Sequence, residues 1–256
     1  MPGTVDIVRS TALEGVSHGF LGRAGGVSTR DVAGLNCGLG SGDDPACIAE
    51  NRRRAGHAVL PGAKLVGLYQ IHSPDCVIVR DPWDDDHRPE GDALVTDRPG
   101  ILLGILTADC APVLLADSEA GVVGAAHAGW KGALAGVTDR AIDAMETLGA
   151  KADRITAAIG PCIAQASYEV DEAFKQRFVT KEAGDTTFFD AGTPGHWQFD
   201  LEGYVARRLE KRGLAKVDRL GLDTYRDAQR FYSFRRATHL GQSTYGRQIS
   251  LIALNN

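Results

Sequence analysis

Three segments that lie far apart in the chain each end on a side chain that binds borderline metal ions. These side chains are His72, Cys110 and His127. Two imidazoles and one thiolate suit Zn²⁺, and three protein ligands instead of four leave a coordination position open for water or substrate. The residue types therefore predict a catalytic metal site, because a structural zinc site is closed by four protein ligands.

Taken one at a time, the same residues also fit an ordinary core, where a single His or an apolar-flanked Cys is more often packed than ligating. The local sequence favours the site, because the three residues follow apolar runs at 65–69, 101–106 and 122–126. Each run predicts a buried strand, and ligands at strand exits are typical of a site at one edge of an α/β core. No Cys-x-x-Cys or His-x-x-x-His pair occurs, so a zinc finger is not predicted.

Apolar patterning and capping residues predict the elements that position this site. Helices are predicted over residues 45–59, 131–148, 168–178 and 201–211. Strands are predicted over 65–71, 77–80, 93–96, 101–107, 113–116, 121–126, 154–159, 231–233 and 248–252. The connection at 117–120 has hairpin length, and the chain contains no linker or tandem repeat. We therefore expect an α/β (α+β) fold with mixed or antiparallel sheets flanked by helices, in a single domain over residues 1–256.

Composition and charge restrict the class of protein. The chain has 43% hydrophobic and 24% charged residues, as a globular protein does, and its net charge of −5 argues against a nucleic-acid-binding surface. Five cysteines without the density of a disulfide scaffold favour a reducing compartment. No signal-peptide pattern is visible, and the longest apolar run is too short to span a bilayer. We expect a soluble cytoplasmic protein with no membrane or nucleic-acid partner, and the oligomeric state stays open.

A cation beside a Gly-Gly turn and a hydroxyl gives a second candidate site. Arg23, Gly25, Gly26 and Ser28 form this group, and backbone N–H groups in such a turn can hold a phosphate. Taken alone, Gly-Gly beside Arg is more often a plain turn. The group therefore predicts a phosphate contact only together with a nearby catalytic centre.

Further charged residues lie next to the predicted ligands. Asp109 directly precedes Cys110, so it could carry a proton or orient a ligand. Lys131, Arg235 and Arg236 are candidates for oxyanion contacts, with solvated surface charge as the alternative for all three. The chemistry assigned to them depends on which reaction the metal centre serves.

Eight motifs in order make the chain similar to a known family. They are Arg-Ala-Gly-Gly-Val-Ser at 23–28, Gly-Asp-Asp-Pro at 42–45 with Glu-Asn-Arg at 50–52, Gln-Ile-His at 70–72, Asp-Ala-Leu-Val-Thr at 92–96, Thr-Ala-Asp-Cys-Ala-Pro-Val at 107–113, Ala-His-Ala-Gly-Trp-Lys-Gly at 126–132, Ile-Gly-Pro-Cys-Ile at 159–163 with Tyr-Glu-Val at 168–170, and Phe-Tyr-Ser-Phe-Arg-Arg at 231–236. From about Gly19 onwards, the chain resembles the laccase-domain family of multifunctional purine nucleoside enzymes, also called polyphenol oxidase or peptidoglycan editing factor proteins.

The resemblance implies a fold and an activity. The fold is a layered α/β/β/α sandwich like the catalytic fold of cytotoxic necrotizing factor toxins. The activity is phosphorolysis of adenosine, inosine and S-methyl-5′-thioadenosine, with an adenosine deaminase activity, and the residues that correspond to the family's zinc or copper ligands are His72, Cys110 and His127. On this hypothesis the small-molecule partners are purine nucleosides and phosphate. Arg23 and Lys131 hold the phosphate, and Asp109 carries a proton.

The residues leave two rival functions and a third, weaker one. Multicopper laccase chemistry is disfavoured, because it needs roughly ten imidazoles with His-x-His pairs and this chain has seven histidines and no such pair. One copper in the site could still give weak polyphenol oxidation. A cysteine hydrolase or amidase, acting on peptidoglycan precursors, would use Cys110 as nucleophile and His127 as base, with His72 or Asp109 as the orienting group. A non-catalytic binding module is disfavoured by the open coordination position.

Overall fold

Two large β-sheets form the centre of the computed structural model, which describes residues 4–255. The described residues form fourteen strands, β1 (Ile7–Val8), β2 (Ser17–Leu21), β3 (Lys64–Val66), β4 (Cys76–Ile78), β5 (Ala93–Thr96), β6 (Ile101–Thr107), β7 (Ala111–Asp117), β8 (Val122–Ala128), β9 (Thr156–Ile159), β10 (Glu169–Asp171), β11 (Phe189–Ala191), β12 (His196–Phe199), β13 (Lys216–Arg219) and β14 (Gln248–Ala253). The first sheet has the order β1-β2-β14-β6-β3, and the second has the order β13-β9-β7-β8-β5-β4. A small antiparallel sheet has the order β10-β12-β11.

Both large sheets are mixed, and their central strands are buried on both faces. In β7, Val113 and Leu115 pack in the core on the helix side of the second sheet, whereas Leu114 and Ala116 pack in the core shared by the two sheets. Alternate residues of a strand point to opposite faces, so a strand buried on both sides must be apolar throughout. This explains why the central strands appear in the sequence as continuous apolar runs.

Helices cover the outer faces of the two sheets. The helices are α1 (Pro45–Val59), α2 (Trp130–Ala135), α3 (Val137–Thr147), α4 (Glu172–Val179), α5 (Leu201–Lys211) and α6 (Phe234–His239). Helix α1 lies against β2 and β14 of the first sheet, and α3 and α5 lie against the second. The predicted layered α/β/β/α arrangement with mixed sheets is confirmed. No helix within residues 4–255 combines the length and apolarity that crossing a bilayer requires.

Several predicted boundaries were wrong. The helix predicted over 131–148 is divided at Gly136, whose φ of 100° ends α2 before α3 begins. The helix predicted over 168–178 starts later, because Glu169–Asp171 pairs with β12 and Asp171 then caps α4. The strand predicted over 65–71 ends at Val66.

The strand predicted over 231–233 does not exist. The backbone N–H of Tyr232 donates to Gln248 Oε1, and its carbonyl accepts from Gln248 Nε2, so a side chain takes the place of a partner strand. Ser233 then accepts from the Arg236 N–H and caps α6. A short aromatic run has the composition of a strand, but here it leads into a helix.

Candidate metal centre

The three predicted ligands meet where the chain crosses from one large sheet to the other. Cys110 lies in the turn between β6 and β7, and His127 lies near the end of β8. His72 follows β3 on an irregular segment. The three ligand atoms all lie within 4.8 Å of one another, and His72 Nε2 is 3.9 Å from Cys110 Sγ. His127 is buried, Cys110 half-buried and His72 exposed, so the cluster is open on one side.

The backbone around the cluster is in an uncommon conformation. His72 and Asp109 have φ of 62° and 84°, and they are two of only three non-glycine residues with positive φ in residues 4–255. Such conformations cost free energy for residues with a Cβ, and they persist where the surroundings enforce them. Two of the three occur at one site, which supports a functional reason for that cost.

Asp92 organises the cluster, although it is not among the site residues predicted from the sequence. Its Oδ1 lies 2.7 Å from His127 Nδ1, and its Oδ2 accepts from the backbone N–H groups of Ile71 and Ser73. One fully buried carboxylate therefore orients the His127 ring and also fixes the segment that carries His72. With Nδ1 engaged, Nε2 of His127 is the atom left to face Cys110. The available signal was an acidic residue immediately before the apolar run of β5.

The cluster separates charge. Burial raises the pKa of Cys110, but His127 and His72 outweigh burial and lower that pKa to about 7. Burial lowers the pKa of His127, but Cys110 and Asp92 outweigh it and raise the pKa to about 9. Burial also opposes ionisation of Asp92, yet its bond to His127 brings the pKa below the ordinary value. At neutral pH the residues favour a thiolate beside an imidazolium, with a carboxylate behind it.

Gly129 leaves the space in which the cluster fits. A Cβ at this position would lie 2.8 Å from His72 Cδ2 and 2.9 Å from Cys110 Sγ. Both distances are shorter than van der Waals contact, so only glycine fits without displacing the two side chains. The residue between β8 and α2 is therefore set by the ligands beside it.

Asp109 contacts the opposite wall of the site. Its Oδ1 accepts from Thr224 Oγ1 and its Oδ2 from the backbone N–H of Arg235, each at 2.7 Å. Burial raises its pKa above the ordinary value, although these hydrogen bonds act in the other direction. The carboxyl therefore ties the turn that carries Cys110 to the start of α6. Its part in proton transfer stays a prediction.

The residues predicted to hold phosphate, Arg23, Gly25, Gly26 and Ser28, contact other parts of the chain. The Arg23 guanidinium donates to the carbonyls of Ala228 and Ala33 and lies over the Tyr232 ring. Ser28 Oγ donates to Asp43 Oδ2. Arg23 and Ser28 therefore bond to carbonyl, aromatic and carboxylate groups of the chain itself.

The two glycines of the same segment allow close backbone approach. A Cβ at Gly26 would collide with the Gly34 carbonyl, and a Cβ at Gly25 would lie 2.8 Å from Val5 Cα. Gly25 also has a φ of 85°. Both positions have a structural explanation that needs no ligand.

Lys131 and Arg235, which were also predicted as oxyanion contacts, occupy different surroundings. Lys131 is exposed, with its ammonium 5.6 Å from the Trp130 ring. Arg235 lines the site, where it donates to the Glu169 carbonyl at 2.9 Å and lies over the Tyr168 ring. Of the two, Arg235 is thus the cation at the cluster.

Two cavities open from the cluster, and their described lining residues have only His72, Ala108 and Cys110 in common. The first, of about 380 Å³, we call the aromatic chamber, because Trp130, Tyr168, Phe174 and Phe234 line it. The second, of about 400 Å³, we call the arginine chamber, because Arg88 and Arg247 line it. Each has a volume within the range typical of small-molecule sites, roughly 300–1,000 Å³.

The donor set fits a metal ion, and one of its ligand separations is close to tetrahedral spacing. Zn²⁺ takes imidazole nitrogens at about 2.0–2.1 Å and thiolate sulfur at about 2.3 Å, so tetrahedral ligands lie roughly 3.3–3.6 Å apart. The separation of 3.9 Å between His72 Nε2 and Cys110 Sγ needs only a small contraction to reach that range. The carboxylate on the far nitrogen of His127 is the partner that metal-binding histidines ordinarily have.

Comparison with known proteins places the chain in a family. Residues 17–255 match the family described as multi-copper polyphenol oxidoreductase laccase. The chain belongs to this laccase family. Relatives include purine nucleoside phosphorylase ORF3 of Streptomyces griseus, 43% identical over 80% of this chain and 84% of the relative. The purine nucleoside phosphorylase of Deinococcus radiodurans is 42% identical over 93% of this chain and 89% of the relative.

Solved structures of similar proteins cover the whole fold of this laccase-family chain. Neisseria meningitidis protein NMB0706, a DUF152 protein, has a TM-score of 0.89 and 30% identity over 99% of this chain and all of that one. YlmD of Geobacillus stearothermophilus has a TM-score of 0.90 and 27% identity over the full length of both chains. The predicted family is therefore confirmed.

Proposed function

We propose that this laccase-family chain is a zinc-dependent purine nucleoside phosphorylase that acts on adenosine, inosine and S-methyl-5′-thioadenosine and also deaminates adenosine. Relatives named purine nucleoside phosphorylase at about 40% identity support the reaction class. The observation that carries the proposal is the three-donor cluster, which Asp92 holds rigid and which stays open towards two chambers. The five free thiols support a cytoplasmic location.

His72, Cys110 and His127 would hold the zinc ion. When bound, the ion would supply a Lewis acid at the junction of the two chambers. The chain's own residues do the positioning. Asp92 fixes the tautomer of His127 and the segment of His72, and Gly129 leaves room for the His72 ring beside Cys110.

Phosphorolysis and deamination require different groups among the remaining residues. Phosphorolysis needs an anion site near the anomeric carbon of the nucleoside, and deamination needs water and a group that moves a proton. Asp109 is our proposed proton carrier, since burial raises its pKa and it lines the aromatic chamber. Arg235 is the cation we propose to contact the substrate from the same chamber.

Metal-quantified protein assayed against inosine and adenosine, with and without phosphate, tests the proposal. We expect hypoxanthine from inosine only when phosphate is present, and inosine from adenosine without it. Both activities should fall after chelation and return with added zinc. Activity that survives complete metal removal would contradict zinc dependence, and absence of phosphate-dependent cleavage would contradict the phosphorylase assignment.

A cysteine hydrolase is the second candidate, and one observation favours it. Cys110, His127 and Asp92 form a thiol, imidazole and carboxylate series in hydrogen-bond order, with a Cys110 pKa of about 7. A hydrolase of this kind keeps its activity in chelator and loses it to iodoacetamide. The zinc enzyme loses activity to the chelator, and its metal-bound thiolate is protected from alkylation while zinc is present.

A further inference from the structure

We propose that the cluster separates the two substrates of phosphorolysis, with phosphate in the arginine chamber and the purine in the aromatic chamber. This inference rests on the proposed phosphorylase function and deepens it by assigning a place to each substrate. It also replaces the Arg23 turn as the phosphate site. The two chambers adjoin at His72, Ala108 and Cys110, so a ribose at that junction would reach into both.

The charges of the two chambers are opposite. Arg88 and Arg247 line the arginine chamber, and none of its described lining residues is acidic. Among its described lining residues, the aromatic chamber has Asp109, Glu169 and Asp171 against the single cation Arg235. A phosphate dianion is attracted to the first chamber and repelled by the carboxylates of the second.

Polar groups of the arginine chamber also remain unsatisfied. Within residues 4–255, Arg247 Nη1 and Thr107 Oγ1 are buried without a hydrogen-bond partner. Arg88 donates to the Asp85 carbonyl through Nε, which leaves its terminal nitrogens as further donors. Buried donors without acceptors cost free energy, and an anion with several acceptor oxygens would remove that cost. In contrast, both ends of the Gln70 amide are already bonded to Leu106.

The aromatic chamber has the chemistry that a purine requires. Four aromatic side chains line it, and aromatic side chains are the groups on which nucleobases stack in other proteins. The Glu169 and Asp171 carboxylates can accept from ring N–H or amino groups of the base. Phe234 is 50% exposed at this chamber, although a large apolar side chain is ordinarily buried.

The arrangement suits an in-line displacement at the anomeric carbon. A phosphate oxygen would approach from the arginine chamber and form the new C–O bond while the C–N bond to the purine breaks. The electron pair of the broken bond leaves with the base, which takes up the proton given up by hydrogen phosphate. Attack from the side opposite the leaving group inverts the carbon, so a β-nucleoside should give an α-sugar phosphate.

Paired variants test the assignment by comparing the KM for phosphate with the KM for inosine. Arg247→Gln keeps the stem that packs beside Gly38 and removes the charge. We expect it, and Arg88→Gln, to raise the phosphate KM about tenfold or more and to leave the inosine KM within about twofold. Phe234→Ala should do the reverse and raise the inosine KM about fivefold or more. Arg80→Gln, on an exposed arginine that pairs with Asp97, is the matched control.

Phosphate binding can be followed without catalysis. Inorganic phosphate titrated into the zinc-loaded protein, with no nucleoside, should show ³¹P line broadening that Arg247→Gln abolishes and Arg80→Gln retains. An unchanged phosphate KM and unchanged broadening in both chamber variants would overturn the assignment, as would a larger loss of phosphate binding in Arg23→Ala. Phosphate binding that depends on Arg247 in a protein without phosphorolysis would support the chamber and refute the proposed reaction instead.

Discussion

Two regions of this chain contain residue types that could form a functional site, but only one of them holds those residues beside open space. The Arg23–Ser28 turn offers a guanidinium, two glycines and a hydroxyl, and its described polar groups are bonded to the chain's own carbonyls and carboxylates. The cluster of His72, Cys110 and His127 has Asp92 behind it and open chambers in front. Polar groups that already have hydrogen-bond partners within the fold serve the structure. Side chains that are held in place beside open space are available for chemistry.

The largest effect should follow removal of a ligand from the open region. Cys110→Ala deletes the thiolate that both histidines face, so we expect bound zinc to fall from about one per chain to none and activity to be lost. Elemental analysis of purified protein measures the metal. Cys47→Ala, on α1, is the matched control and should keep both. Full metal occupancy in both Cys110→Ala and His127→Ala would show that these residues are not the ligands.

A smaller loss should follow removal of the group behind the cluster. Asp92→Asn keeps the size of the side chain but removes the charge that faces His127 Nδ1. Such partners of metal ligands are ordinarily worth about 10–100-fold in metal affinity or activity. A competition titration against a zinc chelator gives the affinity. An affinity equal to that of the unmodified protein would mean that Asp92 only supports the fold.

The charge separation predicts how Cys110 responds to pH in metal-free protein. Because His127 and His72 bring the Cys110 pKa to about 7 against burial, its thiolate should form as pH rises through about 7. The rate of alkylation by iodoacetamide should therefore rise between about pH 6 and 8 and then level off, since thiolate is the reactive form. Mass spectrometry of the Cys110 adduct gives that rate.

The control for this pH dependence is the neighbouring histidine. His127→Ala removes the cation that stabilises the thiolate, so the midpoint should move up towards the ordinary thiol value. A midpoint that stays near pH 7 in that variant would show that His127 is not the cause. Slow labelling of Cys110 is expected in the zinc-loaded protein with His127 intact, because bound metal protects the sulfur. Rapid labelling of zinc-loaded, active protein would support the cysteine hydrolase instead.

The candidate ligands could be selected from the sequence because their signals are local. Cys110 and His127 follow continuous apolar runs, and such runs are what strands buried on both faces require. His72 follows an apolar run in which the strand ends at Val66. The helix Pro45–Val59 was also predictable, since Asp44 caps it and Pro45 occupies its first turn. Residue type and position along the chain were sufficient in these cases.

The remaining parts of the site depend on contacts between distant segments. Asp92 reaches the cluster because β5 pairs with β8 and the segment at 71–73 folds over it. Arg88 and Arg247 lie far apart in the chain but line the same chamber. Neither is among the predicted site residues. The strand predicted at 231–233 failed for the same reason, because Gln248 bonds to its backbone from a distant strand.

The smallest effect on the centre should come from Arg23→Ala. Its guanidinium joins the backbone at Ala33 to the backbone at Ala228, so its loss should lower the free energy of unfolding by about 1.5–3 kcal/mol, the range for hydrogen bonds to charged groups. Denaturant titration measures this change. Zinc content should stay at its original value, because none of the Arg23 contacts involves a ligand.

The same variant decides between the two regions as phosphate sites. If Arg23 only stabilises the fold, phosphorolysis of inosine and deamination of adenosine should fall by the same factor, because both depend on the fraction of folded protein. If Arg23 holds the nucleophile, phosphorolysis should fall far more than deamination, since deamination uses water. The ratio of the phosphorolysis rate to the deamination rate is independent of enzyme stability. A drop of about tenfold or more in this ratio would therefore support the Arg23 turn as the phosphate site.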